Sequence, residues 1–253
     1  MILARIGSFA ILLAACSPQV GTETGNGVAL YLGATGQPSA DQPRLQRAPV
    51  SSARVVASRA KACDGGGGAS EEVIDEPLAE VDLASDGFAQ VAVLPGTQPL
   101  CGVRLEVDAI DWTGALADGT PLRITPERPF ALAFEAQDSG IADDAAAIIV
   151  FDRAVLLAGI APEELPIVDG SARLDGEAND GAIDRFLDGV AASATLYRDV
   201  DRDGEPGGDD EVVAGGVRFD DDDDDDHDDH DDEKDGKFED EDGEESESEE
   251  GDE

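Results

Sequence analysis

From residue 103 to 108 apolar and charged side chains alternate: Val103, Leu105 and Val107 against Arg104, Glu106 and Asp108. A period of two puts each set on its own side of an extended chain. The stretch therefore predicts a half-buried antiparallel strand. Similar texture recurs along the chain. Residues 28–32 open a strand, and residues 50–58, with Val55 and Val56 among polar neighbours, predict another. Val81 and Leu83 flank Asp82. Phe88, Val91 and Val93 lead to Pro95-Gly96, after which Leu100 starts the alternating run. Two apolar runs around such a turn predict a β-hairpin. Residues 122–125 and 130–135 follow as strands bounded by Pro121, Pro126 and Pro129, and the continuous apolar run 148–151 predicts a central strand. Residues 33–49 and the glycines 65–68 read as loops. The glycine loop lacks the Lys-Ser/Thr that completes a phosphate loop.

The pattern then changes period. Val155, Leu156, Leu157 and Ile160 suggest a short helix before Pro162. Ile183, Phe186, Leu187, Val190, Ala194 and Tyr197 recur at helical spacing, with Asn179 and Asp180 placed to cap the start. The expected fold is mainly β: an antiparallel β-sandwich over residues 28–157, then a small helical portion with an Asp-rich loop over 158–219. Aromatics make up only 4% of the chain, so Val, Leu, Ile and Ala must build the core. Trp112 is expected at a sheet edge. No internal repeat is present.

The first residues carry a different message. Arg5 is followed by an uncharged, mostly apolar run from 6 to 15, then Leu13-Ala14-Ala15-Cys16. Ten residues are too few to span a hydrocarbon core about 30 Å thick. Their length and flanks suit a signal-peptide core. The last four residues resemble the lipobox of bacterial lipoprotein precursors. That resemblance implies cleavage after residue 15 and lipidation of Cys16, with residues 16–27 as a small, polar tether. An ordinary secretory signal is the alternative. Several acyl chains at about 0.8 kcal/mol per buried CH₂ give a stable membrane anchor. Ser17 after the cysteine implies the outer membrane under the enteric sorting rule. The expected location is the bacterial cell envelope, outside the cytoplasm.

Charge narrows the partners. The formal net charge is −42, with −22 of it in residues 220–253. Such a surface repels nucleic acid and anionic lipid headgroups, and attracts cations or a basic envelope protein. The tail itself, with Asp220 to Asp226 unbroken and Phe238 almost alone among apolar residues, predicts disorder. Its His227 and His230 are the only histidines in the chain. A His-based triad or zinc site in the folded part is thereby excluded, and a cysteine nucleophile would lack an imidazole base. Cys63 and Cys101 remain once Cys16 is acylated. In an exported protein an even pair reads as a disulfide, here closing a 38-residue loop. Two buried free thiols, or a reactive site, are the other readings.

Two further features bear on function. Asp82-Leu83, with Leu94-Pro95-Gly96 and Cys101-Gly102-Val103-Arg104-Leu105, resembles a β-sandwich domain of uncharacterised bacterial lipoproteins. The resemblance implies an extracytoplasmic binding or scaffold module and carries no active site. Separately, Asp199, Asp201 and Asp203 alternate before Gly204, as at the start of EF-hand-like calcium loops. Alternate side chains point oxygens at one centre, as Ca²⁺ requires, and the glycine lets the chain turn. Asp210 stands at position twelve with Glu211 next, where such loops place a bidentate acid. Pro206, Gly207 and Gly208 depart from that pattern. The alternative is a solvated acidic loop. The functional expectation is a non-catalytic, lipid-anchored binding or scaffold module with cation-binding acidic segments. A calcium buffer and a carboxylate-dependent hydrolase are the alternatives.

Overall fold

The computed structural model describes residues 27–59, 70–74, 78–95, 99–136, 140–142, 145–176 and 179–219. Residues 1–26, where a signal peptide and tether are expected, lie outside these, as do Cys63, the glycines 65–68, Gly96 and residues 220–253 with His227 and His230.

Strand-forming segments assemble into three sheets. The first holds β1 (Gly27–Thr35), β6 (Gly87–Pro95), β11 (Ala146–Asp152), β14 (Ala194–Asp199) and β15 (Glu211–Gly215), in the order β15-β14-β11-β1-β6. The second holds β3 (Pro49–Arg59), β4 (Ser70–Ile74), β7 (Leu100–Ile110), β10 (Phe130–Glu135) and β16 (Val217–Phe219), ordered β16-β10-β7-β3-β4, with β5 (Val81–Asp82) also on β3. The third runs β12-β13-β9-β8-β2. Its members are β2 (Arg44–Arg47), β8 (Trp112–Ala115), β9 (Pro121–Thr125), β12 (Ile167–Val168) and β13 (Ser171–Asp175).

The fold is the mainly-β sandwich that the alternation predicts. Val103, Leu105 and Val107 are buried and face one core with Leu132 and Phe134 of β10. From the first sheet Leu30, Leu32, Ile149, Phe151 and Leu196 join the same cluster. Most pairings are antiparallel, but β1 pairs β11 in parallel, and β13 pairs β9 in parallel. As expected, β11 is central. It lies between β1 and β14, and residues 146–151 are buried throughout.

Residues 33–49, expected as a loop, hold the end of β1 and all of β2. Three further expectations are corrected. The hairpin around Pro95-Gly96 does not form: β6 pairs β1 in the first sheet, while β7 pairs β3 and β10 in the second. The chain crosses from one layer to the other there, so each strand finds long-range partners. Secondly, residues 152–197 are less helical than their spacing implies. One turn, α1 (Arg153–Leu156), starts with Asp152 accepting from the Ala154 N–H. A longer helix, α2 (Asp180–Ser193), stops before Ala194 and Tyr197, which belong to β14. Ala194 turns extended because β14 pairs β11 from Ala194 to Asp199. That ladder overrides a helical periodicity shared by chance. Residues 158–219 thus supply β12, β13, β14, β15 and β16 besides α2. Asn179 precedes α2, but its side chain donates to the Asp175 carbonyl and makes no cap bond. Thirdly, Trp112 is not at an edge. It is 1% exposed on β8, between β9 and β2, and meets Phe186 of α2 edge-on at 4.7 Å between ring centroids. An indole of this size is best buried where α2 closes the sandwich.

Arg153 knits the chain beside β1 together. Its guanidinium donates to the carbonyls of Leu83 at 2.9 Å, Gly36 at 3.3 Å, Ala34 at 3.1 Å and Ser85, and to Asp86 Oδ1 at 2.8 Å. All five of its N–H groups are thereby used. Asp82, one of the residues in the lipoprotein-domain resemblance, accepts from the N–H groups of Ala48 and Ala84 at 2.8 and 3.0 Å.

Candidate cation-binding loop

The Asp-rich loop connects β14 to β15, and its conformation follows from its own carboxylates. Asp199 ends β14 and is fully buried. Its Oδ1 accepts from the Arg202 N–H at 2.6 Å and its Oδ2 from the Gly204 N–H at 2.9 Å. Asp201 accepts from the Asp203 N–H at 3.3 Å, and Asp203 from the Glu205 N–H at 2.8 Å. Short acidic side chains bonding the backbone two to five residues on make the chain turn repeatedly. Arg202 and Gly204 take positive φ values of 61° and 79° within that path.

This winding brings three of the candidate ligands together. Asp199, Asp201 and Asp203 each offer a carboxylate oxygen within 4.8 Å of the others, Asp199 buried and the other two exposed. Each carboxylate has acceptor positions beyond the one or two used by backbone N–H groups. Asp210 closes the loop instead. Its Oδ1 accepts from the Val200 N–H at 3.0 Å and its Oδ2 from the Gly207 N–H at 2.6 Å. Glu211 begins β15 and pairs with Arg198 at 2.9 Å. The geometry therefore gathers the first half of the sequence pattern and uses the second half to fasten the loop.

Burial pushes the Asp199 carboxyl above its ordinary range. Asp201 and Asp210 push the same way, while the N–H groups of Gly204 and Arg202 oppose the shift. An anion desolvated among other anions is relieved by a cation. Sequence reasoning did not find the residue beneath the loop. Gly204 folds back onto Tyr31 of β1, where a Cβ would stand 2.6 Å from Tyr31 Cε1. The register signals this only in hindsight: Tyr31, Ile148 and Tyr197 lie side by side across β1, β11 and β14.

Elsewhere a cleft of about 270 Å³ is lined by Pro38, Pro43, Arg44, Leu45 and Leu157 beside Arg153. Arg153 has no N–H left for a ligand there. A second void, about 10 Å³ between Leu105, Trp112, Leu132 and Phe151, is apolar and large enough for one water at most. Cys101 sits on β7 one residue after Leu100, which pairs with Arg59 at the end of β3. No helix among the described residues is long and apolar enough to cross a membrane. No protein-family model, curated protein or solved structure matches the chain.

Proposed function

We propose that this protein is a lipid-anchored module of the bacterial cell envelope that binds rather than catalyses, and that its Asp199 loop holds a calcium ion. The observation that carries the cation reading is the convergence of Asp199, Asp201 and Asp203 within 4.8 Å. Three hard oxygen donors with a glycine-assisted turn suit Ca²⁺ better than a transition metal. The anchor reading draws on Leu13-Ala14-Ala15-Cys16 after an apolar run. A mature product beginning at an acylated Cys16 would be located outside the cytoplasm, where free calcium reaches the millimolar affinity range of extracellular modules, with Kd on the order of 10⁻⁴–10⁻³ M. The partner is the membrane through its lipid, together with cations or a basic envelope protein drawn by net charge.

The same setting supports a bridge between Cys63 and Cys101. Cys63 follows the end of β3 by four residues, and that strand end lies beside the start of β7. Four residues reach up to about 13 Å, enough to bring the two Cα atoms to bridging distance.

Calorimetric titration with Ca²⁺ tests the cation reading. Full-length protein and a chain ending after Phe219 should both show one site of matching affinity, lost in Asp201→Asn/Asp203→Asn. Binding that disappears with residues 220–253 and survives the double substitution would instead favour a diffuse calcium buffer. Absence of binding below millimolar concentration in both chains would end the calcium reading.

A further inference from the structure

The strand directions of the first sheet fix which end of the body carries the tether. β1 starts at Gly27, paired with Pro95 at the end of β6. Because β11 runs parallel to β1, its start at Ala146 lies toward the same end, and Ala146 pairs with Asp199 at the end of antiparallel β14. Glu211, which starts β15, pairs with Arg198 there too. The Asp199 loop and the exit of the N-terminal tether therefore share one end of one sheet. Only β11 separates β1 from β14, so they lie about 10 Å apart at the usual strand spacing. The opposite end holds Ala194, whose carbonyl accepts from the Gly216 N–H at 2.9 Å. Val217 and the start of β16 follow directly, so the point where residues 220–253 join the body is near that far end.

From this we infer that the end of the sandwich bearing the Asp199 loop is the surface presented to the lipid bilayer. The inference depends on the lipid-anchor reading of Cys16. Residues 16–26 number eleven. Whatever path they take, they span at most about 36 Å fully extended. A flexible chain of that length has an r.m.s. span of about 18 Å. β1 alone is nine residues, about 30 Å of strand. Turning the body over would carry Gly27 a strand length or more from the bilayer and stretch the tether almost taut. With the near end down, Gly27 lies well within the reach of eleven residues.

The surface so presented is acidic: Asp201, Asp203, Glu205 and Asp209 are exposed on it, with Arg202 the basic residue of the loop. Anionic headgroups repel it, but at physiological salt only within about 8 Å. That force sets a gap beneath the loop without supplying enough reach to invert the body. The loop end thus faces the phospholipid surface across that gap, held there by the length of the tether and not by contact with headgroups.

Energy transfer to a headgroup acceptor tests the orientation. The native lipidated protein is placed on vesicles of phosphatidylethanolamine and phosphatidylglycerol carrying a headgroup fluorophore. The donor sits at Val200→Cys in the loop or at Val217→Cys at the far end, both exposed valines. The parent chain treated with the same dye corrects for any labelling of Cys63 and Cys101. Severalfold higher transfer from position 200 is expected. Equal transfer, or higher transfer from 217, on protein that floats with the vesicles overturns the orientation alone. Failure to float overturns the anchor reading, and the orientation with it.

Discussion

Gly204 rests on the face of Tyr31, so close that a Cβ at position 204 would lie 2.6 to 3.0 Å from three ring carbons. Its φ of 79° is in the region that glycine alone enters freely. Two demands therefore fall on one residue: a left-handed backbone, and no side chain beneath the loop. Gly204→Ala should cost about 1–2 kcal/mol from backbone conformation alone. Displacement of the ring adds to that. In denaturant titration, Gly204→Ala with Tyr31→Ala should recover part of the loss relative to the two single changes. A strictly additive pair would mean that the ring contact contributes nothing.

Acidification should act on the loop in two opposed ways. The Asp199 carboxyl titrates above its ordinary value because it is buried. Between that ordinary value and the raised one, the unfolded chain holds fewer protons than the folded one. The stability contributed by this group therefore falls as pH rises through the window and returns as pH falls. Calcium requires the ionised form, so its stabilisation should run the other way. At a hundredfold excess over Kd it amounts to about 2.7 kcal/mol near neutrality. Melting curves with Ca²⁺ and with chelator, from pH ~7 down to pH ~4, should converge as Asp199 protonates. Curves that stay equally far apart would place the ion elsewhere.

Arg153 holds four backbone carbonyls and Asp86 from a nearly buried position. Lysine has three donors and no planar fork, so Arg153→Lys leaves carbonyls unpaired and is not a mild change. A loss of about 3 kcal/mol is expected, on the scale of breaking a buried hydrogen-bonded charge. Urea unfolding checks this, and a loss under about 1 kcal/mol would show that water replaces the guanidinium.

Phe186→Ala should destabilise by about 3–5 kcal/mol, because it opens a cavity beneath Trp112. Near-ultraviolet circular dichroism should lose the tryptophan signal at the same time, since Phe186 fixes the indole edge-on.

If Cys63 and Cys101 are bridged, intact mass should fall by two hydrogens relative to the reduced chain. Reduction should then cost on the order of 4 kcal/mol for a 38-residue loop. A mass unchanged by reductant would leave two free thiols.

Much of the β-structure was legible because alternation is a local property. Val103 to Asp108 reads the same in the chain as in β7, and the run 148–151 announced a strand buried on both faces. Ala194 and Tyr197 misled for the converse reason. They fit the helical period of α2, yet the backbone there pairs with β11, whose residues lie more than forty positions earlier. The partners of β6 and β7 were equally hidden, since a turn signal between two runs does not say whether they pair with each other or cross between layers.

The sequence by itself determined the alternation that makes a sandwich, the acidic charge, the apolar run ending in Leu13-Ala14-Ala15-Cys16 and the alternating carboxylates of the loop. Each is written in neighbouring residues. Only the tertiary structure decided that Asp199 is buried while Asp201 and Asp203 are exposed, that Asp210 closes the loop by bonding backbone, and that Tyr31 lies beneath Gly204. Those outcomes depend on which strands lie side by side. Strand order is set by burial of the whole apolar surface at once, which no local stretch of chain records.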